Sequence, residues 1–141
     1  MGYPSWLWNP QSNPIHKPTV AIIGASKDPA KHSHRAIQAH LARGYEVYPV
    51  NPRETEILGL KTYPSVAEIP VPLDRVTVYL PPAVGLTVIG QIARKNPKEL
   101  FLNPGSESEE LVQKARALGL SPILACSITD LEVNPNAPPG V

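Results

Sequence analysis

Two rhythms of hydrophobic residues alternate along this chain. Short apolar runs at Val20 to Ile23, Tyr45 to Val50, Arg75 to Leu80, Glu99 to Leu102 and Pro122 to Ala125 are separated by stretches where apolar residues recur every three or four positions. The first run lacks polar alternation, as expected of a central parallel strand covered on both faces. The spaced stretches predict helices from about Ser33 to Arg43 and from Ala83 to Lys95, with a third after Ser106. Their inward stripes are read as Ile37 and Leu41, then Val84, Val88 and Ile92, then Leu111, Ala115 and Leu118. Gly44 and Gly119 close the first and last of these helices. Ser65 to Glu68 and Ser106 to Glu109 have the Ser-x-x-Glu spacing of capping boxes, the first for a brief helix.

Strands alternating with helices predict a Rossmann-like, doubly wound parallel sheet in three α/β/α layers. About five strands are expected, in the order 3-2-1-4-5, within a single domain. Ligands of such sheets bind beyond the carboxyl ends of the strands, where strand order reverses. Those ends are the loops Gly24 to His32, Asn51 to Arg53, Leu80 to Val84 and Asn103 to Ser106. The domain is expected over residues 18–130. Residues 1–17 form an arm with Pro4, Pro10 and Pro14, and residues 131–141 a tail with Pro135, Pro138 and Pro139; both are expected to be extended. Trp6 and Trp8 are too large to sit wholly in water, which predicts that the arm packs on the domain or on a second subunit.

Charge narrows the function. Thirteen Lys and Arg against twelve Asp and Glu give a net charge of +1. No global basic field exists to hold nucleic acid or an anionic membrane, so an anion site must be local. The single Cys126 cannot form an intrachain disulfide, and no apolar run is long enough to span a bilayer. A cytoplasmic location is expected.

Gly24-Ala25-Ser26 ends the first strand in the kind of turn that lets backbone N–H groups approach a phosphate. Ser26 and Pro29 stand where a full Gly-x-Gly-x-x-Gly would carry glycines, so a plain tight turn is the alternative. Lys27, Lys31, His32, His34 and Arg35 follow as a local cationic cluster. A branched side chain at Gly24 is expected to block a phosphate and leave the fold intact. At the end of the second strand, Asn51 and Arg53 occupy the place where an NAD site usually carries an acid. An arginine there favours a phosphorylated ribose, as in NADP or coenzyme A, against the alternative of a solvated loop cation. No catalytic constellation is readable. Cys126 is expected just past a buried strand as an apolar filler, and His32 and His34 lack the companions of a metal site.

The runs Val20 to Pro29 and Gly44 to Arg53, followed by Ile57-Leu58-Gly59 and Tyr63-Pro64-Ser65, resemble the small stand-alone CoA-binding domain proteins. These are similar to the N-terminal CoA-binding domain of succinyl-CoA synthetase α and of ADP-forming acyl-CoA synthetases. The resemblance covers about residues 18–130 and implies coenzyme A or an acyl-CoA as ligand. It implies that Gly24, Ala25, Ser26 and Lys27 hold the pyrophosphate. Asn51, Pro52 and Arg53 would approach the phosphorylated ribose and adenine, and Leu80, Pro81 and Pro82 would pack on the ligand. The large synthetases carry their phosphorylated histidine in a following domain, so a CoA-binding protein without catalysis of its own is expected. An NADP-dependent oxidoreductase and an interaction subunit with a vestigial nucleotide pocket are the alternatives. Expected partners are the small-molecule nucleotide and, for assembly, a homodimer or a synthetase subunit.

Overall fold

The computed structural model describes residues 17–133; the expectations for the arm before Lys17 and for the prolines of the tail lie outside the described residues. The main sheet has five parallel strands: β1 (Thr19–Ile23), β2 (Glu46–Val50), β5 (Arg75–Val78), β6 (Glu99–Leu102) and β7 (Pro122–Leu124). Between β2 and β5 lie a two-stranded hairpin, β3 (Glu56–Ile57) with β4 (Leu60–Lys61), and a 3-10 turn at Val66–Glu68. The helices are α1 (His32–Ala42), α2 (Pro82–Lys95), α3 (Glu109–Ala117) and α4 (Ser127–Val133).

The strand order is β2-β1-β5-β6-β7, so the third long strand pairs with β1 and not outside β2 as expected. Pro49 explains the correction. Its carbonyl accepts the Tyr63 N–H at 2.9 Å on the outer side of β2, so its own nitrogen, which has no hydrogen, faces outward too. Proline is tolerated at such an edge position, where no ladder bond is lost. The segment from Asn51 to Asp74 is long enough to cross over β1 and deliver β5 to its far side.

Alternation along β1 builds two cores. Ala21 and Ile23 face α2, α3 and the 3-10 turn with Val76, Val78, Ile89, Leu100, Leu102 and Leu111. Val20 and Ile22 face α1 and α4 with Ala36, Ile37, Val47 and Leu131. Helices therefore cover both faces, as right-handed crossovers running in opposite directions from β1 and β5 require.

Several inward stripes are rotated from expectation. Leu41 and Leu118 are exposed at 42% and 45%, while His40 is fully buried one position before Leu41. The third helix is capped by Ser108, whose side chain accepts the Leu111 N–H, and not by Ser106. The 3-10 turn forms without the expected side-chain cap from Ser65. The last strand is a short, largely exposed edge, so Cys126 does not follow a buried strand and is itself half-buried.

Helix α4 has no counterpart in the sequence reading, and it runs beyond residue 130 with Leu131 in the core. It sits on the polar column of β5. Arg75 is buried to 1% and donates to Glu99 Oε1 at 2.9 Å and to Asp130 Oδ2 on α4 at 3.0 Å. Higher in the column, the Ser127 and Thr77 hydroxyls bond at 2.8 Å. The Asn103 side chain joins them, its Nδ2 donating to Thr77 Oγ1 at 2.6 Å and its Oδ1 accepting the Ser127 N–H at 2.9 Å.

Candidate functional site

Neighbouring strands β1 and β5 feed crossovers in opposite directions, to β2 and to β6, which opens a crevice at their carboxyl ends. Gly24 leaves β1 with φ at +87°, a conformation that suits glycine. The Gly24 and Ala25 N–H groups both donate to Val50 O at 3.1 Å. Asn51 then ties the loops after β1 and β2 together, with Nδ2 donating to Ala25 O and Oδ1 accepting the Arg53 N–H, each at 2.8 Å. Within the first loop, Ser26 Oγ accepts the Asp28 N–H at 3.0 Å, and Asp28 Oδ1 accepts the Ala30 N–H at the same distance. The N–H groups of Ser26 and Lys27 make no hydrogen bond among the described residues, leaving two donors at the turn.

Two concavities meet at Gly24 and Asn51. On the α1 side a shallow hollow of about 340 Å³ is lined by Gly24, Ala25 and Ser26 with Lys31, Ser33 and Tyr79. The α1 N-terminus opens into it with no acid in the first turn and no side-chain cap, so its dipole favours an anion there. On the α2 side lies a deeper cavity of about 450 Å³, walled by Val50, Val66, Leu80, Val84, Val88 and Gln91, with Pro52 and Arg53 also contributing. Its lining is chiefly apolar. Arg53 is exposed, and its guanidinium has no ion-pair or hydrogen-bond partner among the described residues.

The expected site residues separate accordingly. Gly24, Asn51, Pro52, Arg53 and Leu80 line the deeper cavity, while Ala25 and Ser26 line the hollow with Gly24 and Asn51. Lys27, Pro81 and Pro82 line neither. Lys27 instead pairs with Glu54 at 3.2 Å, and Pro81 and Pro82 start α2 as its N-cap and first residue. The cationic cluster also divides. Lys31 and His32 reach the hollow, whereas His34 is buried and its Nδ1–H donates to Ser26 O at 2.9 Å.

Sequence reasoning missed the cavity wall on α2. Val84 and Val88 are read there as core, yet Gly85, Ile89 and Ile92 take the buried face and Val84 stays 44% exposed. Gln91 at the next position of the Val84–Val88 stripe is the signal, because a polar residue on an apolar stripe suggests that the stripe does not face the core. Pro64, Ser65 and Val66 form the facing wall, and only the crossover path brings them there.

Catalytic groups remain sparse. Tyr79 donates to or accepts from Ser127 Oγ at 3.3 Å, and burial pushes its phenol above the ordinary value, so it stays protonated. Cys126 makes no side-chain hydrogen bond among the described residues. No group of three or more metal-binding side chains converges among them, and no described helix is long and apolar enough to cross a membrane.

Known proteins share this architecture. A hypothetical protein from Pyrococcus horikoshii OT3 superposes with a TM-score of 0.76 at 32% identity, over 81% of each chain. The dinucleotide-forming acetyl-coenzyme A synthetase 1 of Ca. Korarchaeum cryptofilum, solved with phosphate and ADP, matches with a TM-score of 0.67 at 32% identity, over 76% of this chain and 25% of that one. In sequence, the acetate–CoA ligase [ADP-forming] II subunit alpha of Pyrococcus furiosus is 31% identical over 112 residues, which cover 72% of this chain and 24% of the relative. The uncharacterized protein YneT of Bacillus subtilis is 42% identical over 60 residues, 43% of this chain and 44% of its own. The chain thus spans less than half the length of these curated relatives. The family profile described as CoA binding domain matches residues 18–132, nearly all of the described fold, and the chain belongs to that CoA-binding domain family.

Proposed function

We propose that this chain binds coenzyme A or an acyl-CoA and carries out no chemistry of its own. The observation that carries the proposal is Arg53, an exposed guanidinium without an ion-pair or hydrogen-bond partner among the described residues, at the mouth of an apolar cavity and near loop N–H groups that are likewise unbonded among them. A diphosphate fits the Gly24–Ser26 turn and the α1 N-terminus, and a phosphate on the ribose fits Arg53. Family membership favours coenzyme A over NADP. The Pyrococcus furiosus relative named as a subunit alpha of an acetate–CoA ligase supports a partner synthetase subunit as the place where acyl transfer would occur. A homodimer is the other assembly.

Thermal shift and calorimetry with CoA, dephospho-CoA, NADP and NAD test this reading, since a ligand held only by the native state raises its apparent stability. CoA should bind about tenfold tighter than dephospho-CoA, because hydrogen bonds to charged groups contribute on the order of 1.5–3 kcal/mol, and Arg53→Ala should erase the difference. Stronger binding of NADP than CoA would replace the proposal with an oxidoreductase. Thiol release from acetyl-CoA should not exceed buffer; release that depends on Cys126 would make the protein an enzyme.

A further inference from the structure

Among the described residues, Gln91 Oε1 is the one buried side-chain polar atom without a hydrogen-bond partner. A buried amide oxygen without a partner is rare because it forfeits its bonds to water, so this one, on a half-buried residue, calls for an explanation. Its position supplies one. Val84, Val88 and Gln91 lie along one stripe of α2 and line the deeper cavity, where Gln91 is the polar member of the α2 wall.

We propose that Gln91 selects the base of the bound nucleotide, its carboxamide pairing with the edge of an adenine ring. The proposal rests on the CoA reading above. If Arg53 takes a phosphate on the ribose, the base attached to that ribose is delivered to the adjacent cavity, whose apolar walls suit a flat aromatic ring. An adenine edge offers an amine donor beside a ring-nitrogen acceptor, and a carboxamide offers the complementary acceptor and donor. The last torsion of glutamine is broad and shallow, so the amide can turn its edge toward a ligand at small cost. Both of its ends are then satisfied, including the oxygen that lacks a partner among the described residues. A valine or leucine at this position would hold the ring without reading it.

Calorimetry on the full chain and its Gln91→Leu variant tests the assignment with three ligands: CoA, a CoA analogue whose base is unsubstituted purine, and adenosine 3′,5′-bisphosphate, which has the base and no pantetheine. The unmodified protein should prefer CoA over the purine analogue by about tenfold, as expected for one good bidentate base contact. Gln91→Leu should weaken CoA and the bisphosphate equally, about tenfold by the same measure, and should bind CoA and the purine analogue alike. Its melting temperature without ligand should hold or rise, with Gln91→Met as a second variant should leucine disturb the wall. Undiminished base preference in these variants overturns the proposal while leaving CoA binding intact. So does a loss seen with CoA but not with the bisphosphate, which would set pantetheine against Gln91. Failure of the unmodified protein to bind CoA removes both readings.

Discussion

Gly24 holds φ at +87° where the chain leaves β1, and a Cβ built on it would lie 2.9 Å from Tyr79 O and 3.1 Å from Leu80 Cδ2. The glycine therefore serves the packing of two strand ends before it serves a phosphate. Valine at this position would strike backbone, so the geometry argues against the expectation that the fold is left intact. Gly44 has the same φ of +87° but nothing within 4 Å of an added Cβ. The pair separates backbone strain from overlap. Gly44→Ala should cost about 1–2 kcal/mol, the usual penalty of a left-handed residue. Gly24→Ala should cost at least about 1 kcal/mol more, since overpacking adds to strain. Urea unfolding of the two variants checks this, and equal losses would show that the Tyr79 contact yields freely.

Among the elements, β5 and α4 depend on each other through Arg75. Burial opposes the charge of this side chain, but hydrogen bonds to Glu99 and Asp130 outweigh it and keep the guanidinium charged. Its Cζ also lies 4.5 Å from the Phe101 ring centre and 5.5 Å from that of Tyr45. Removing one member of a buried ion-pair network typically costs about 3–5 kcal/mol, because the partners keep their desolvation penalty. Arg75→Ala should fall toward the lower part of that range, since Glu99 and Asp130 retain some water contact. Arg75→Lys should restore little, as a single ammonium cannot span both carboxylates in the same fork. The expected sign in hydrogen exchange is loss of protection in α4 ahead of β1; uniform loss, or a destabilisation below about 1 kcal/mol, would detach α4 from this network.

For the whole molecule, the same network sets a pH dependence. His40 is fully buried, its Nδ1–H donates to Ala36 O at 2.8 Å, and its Nε2 accepts from Arg75 Nη1 at 3.3 Å. That pattern requires the neutral ring. Burial, aided by the Arg75 charge, lowers its pKa from 6.5 to about 4. Between those values the unfolded chain binds a proton that the native state refuses. Stability from this group is thus complete above pH 6.5 and is lost as the pH falls toward 4, by on the order of 3 kcal/mol in total. A His40→Gln variant should show a flatter fall over that interval in urea titrations. Parallel curves for the two proteins would mean that His40 does not govern the acid limb.

Local signals identified most elements and the loops that meet at the site. The β-branched runs, the terminal glycines and the Gly24–Ser26 and Asn51–Arg53 turns depend on the chain's near neighbours, so the sequence alone places them. Pro49 carried the edge position of β2 as well, although its meaning emerges only beside Tyr63. Which face of α2 is core was not legible, because Val84 and Ile89 are equally apolar and only the packing of α3 against Gly85 decides between them. Nor was α4, whose short sequence is held by Arg75, Thr77 and Asn103 from distant strands. The deeper cavity has the same origin: its walls come from the 3-10 segment and α2, which no local pattern links and which the crossover from β2 to β5 brings face to face.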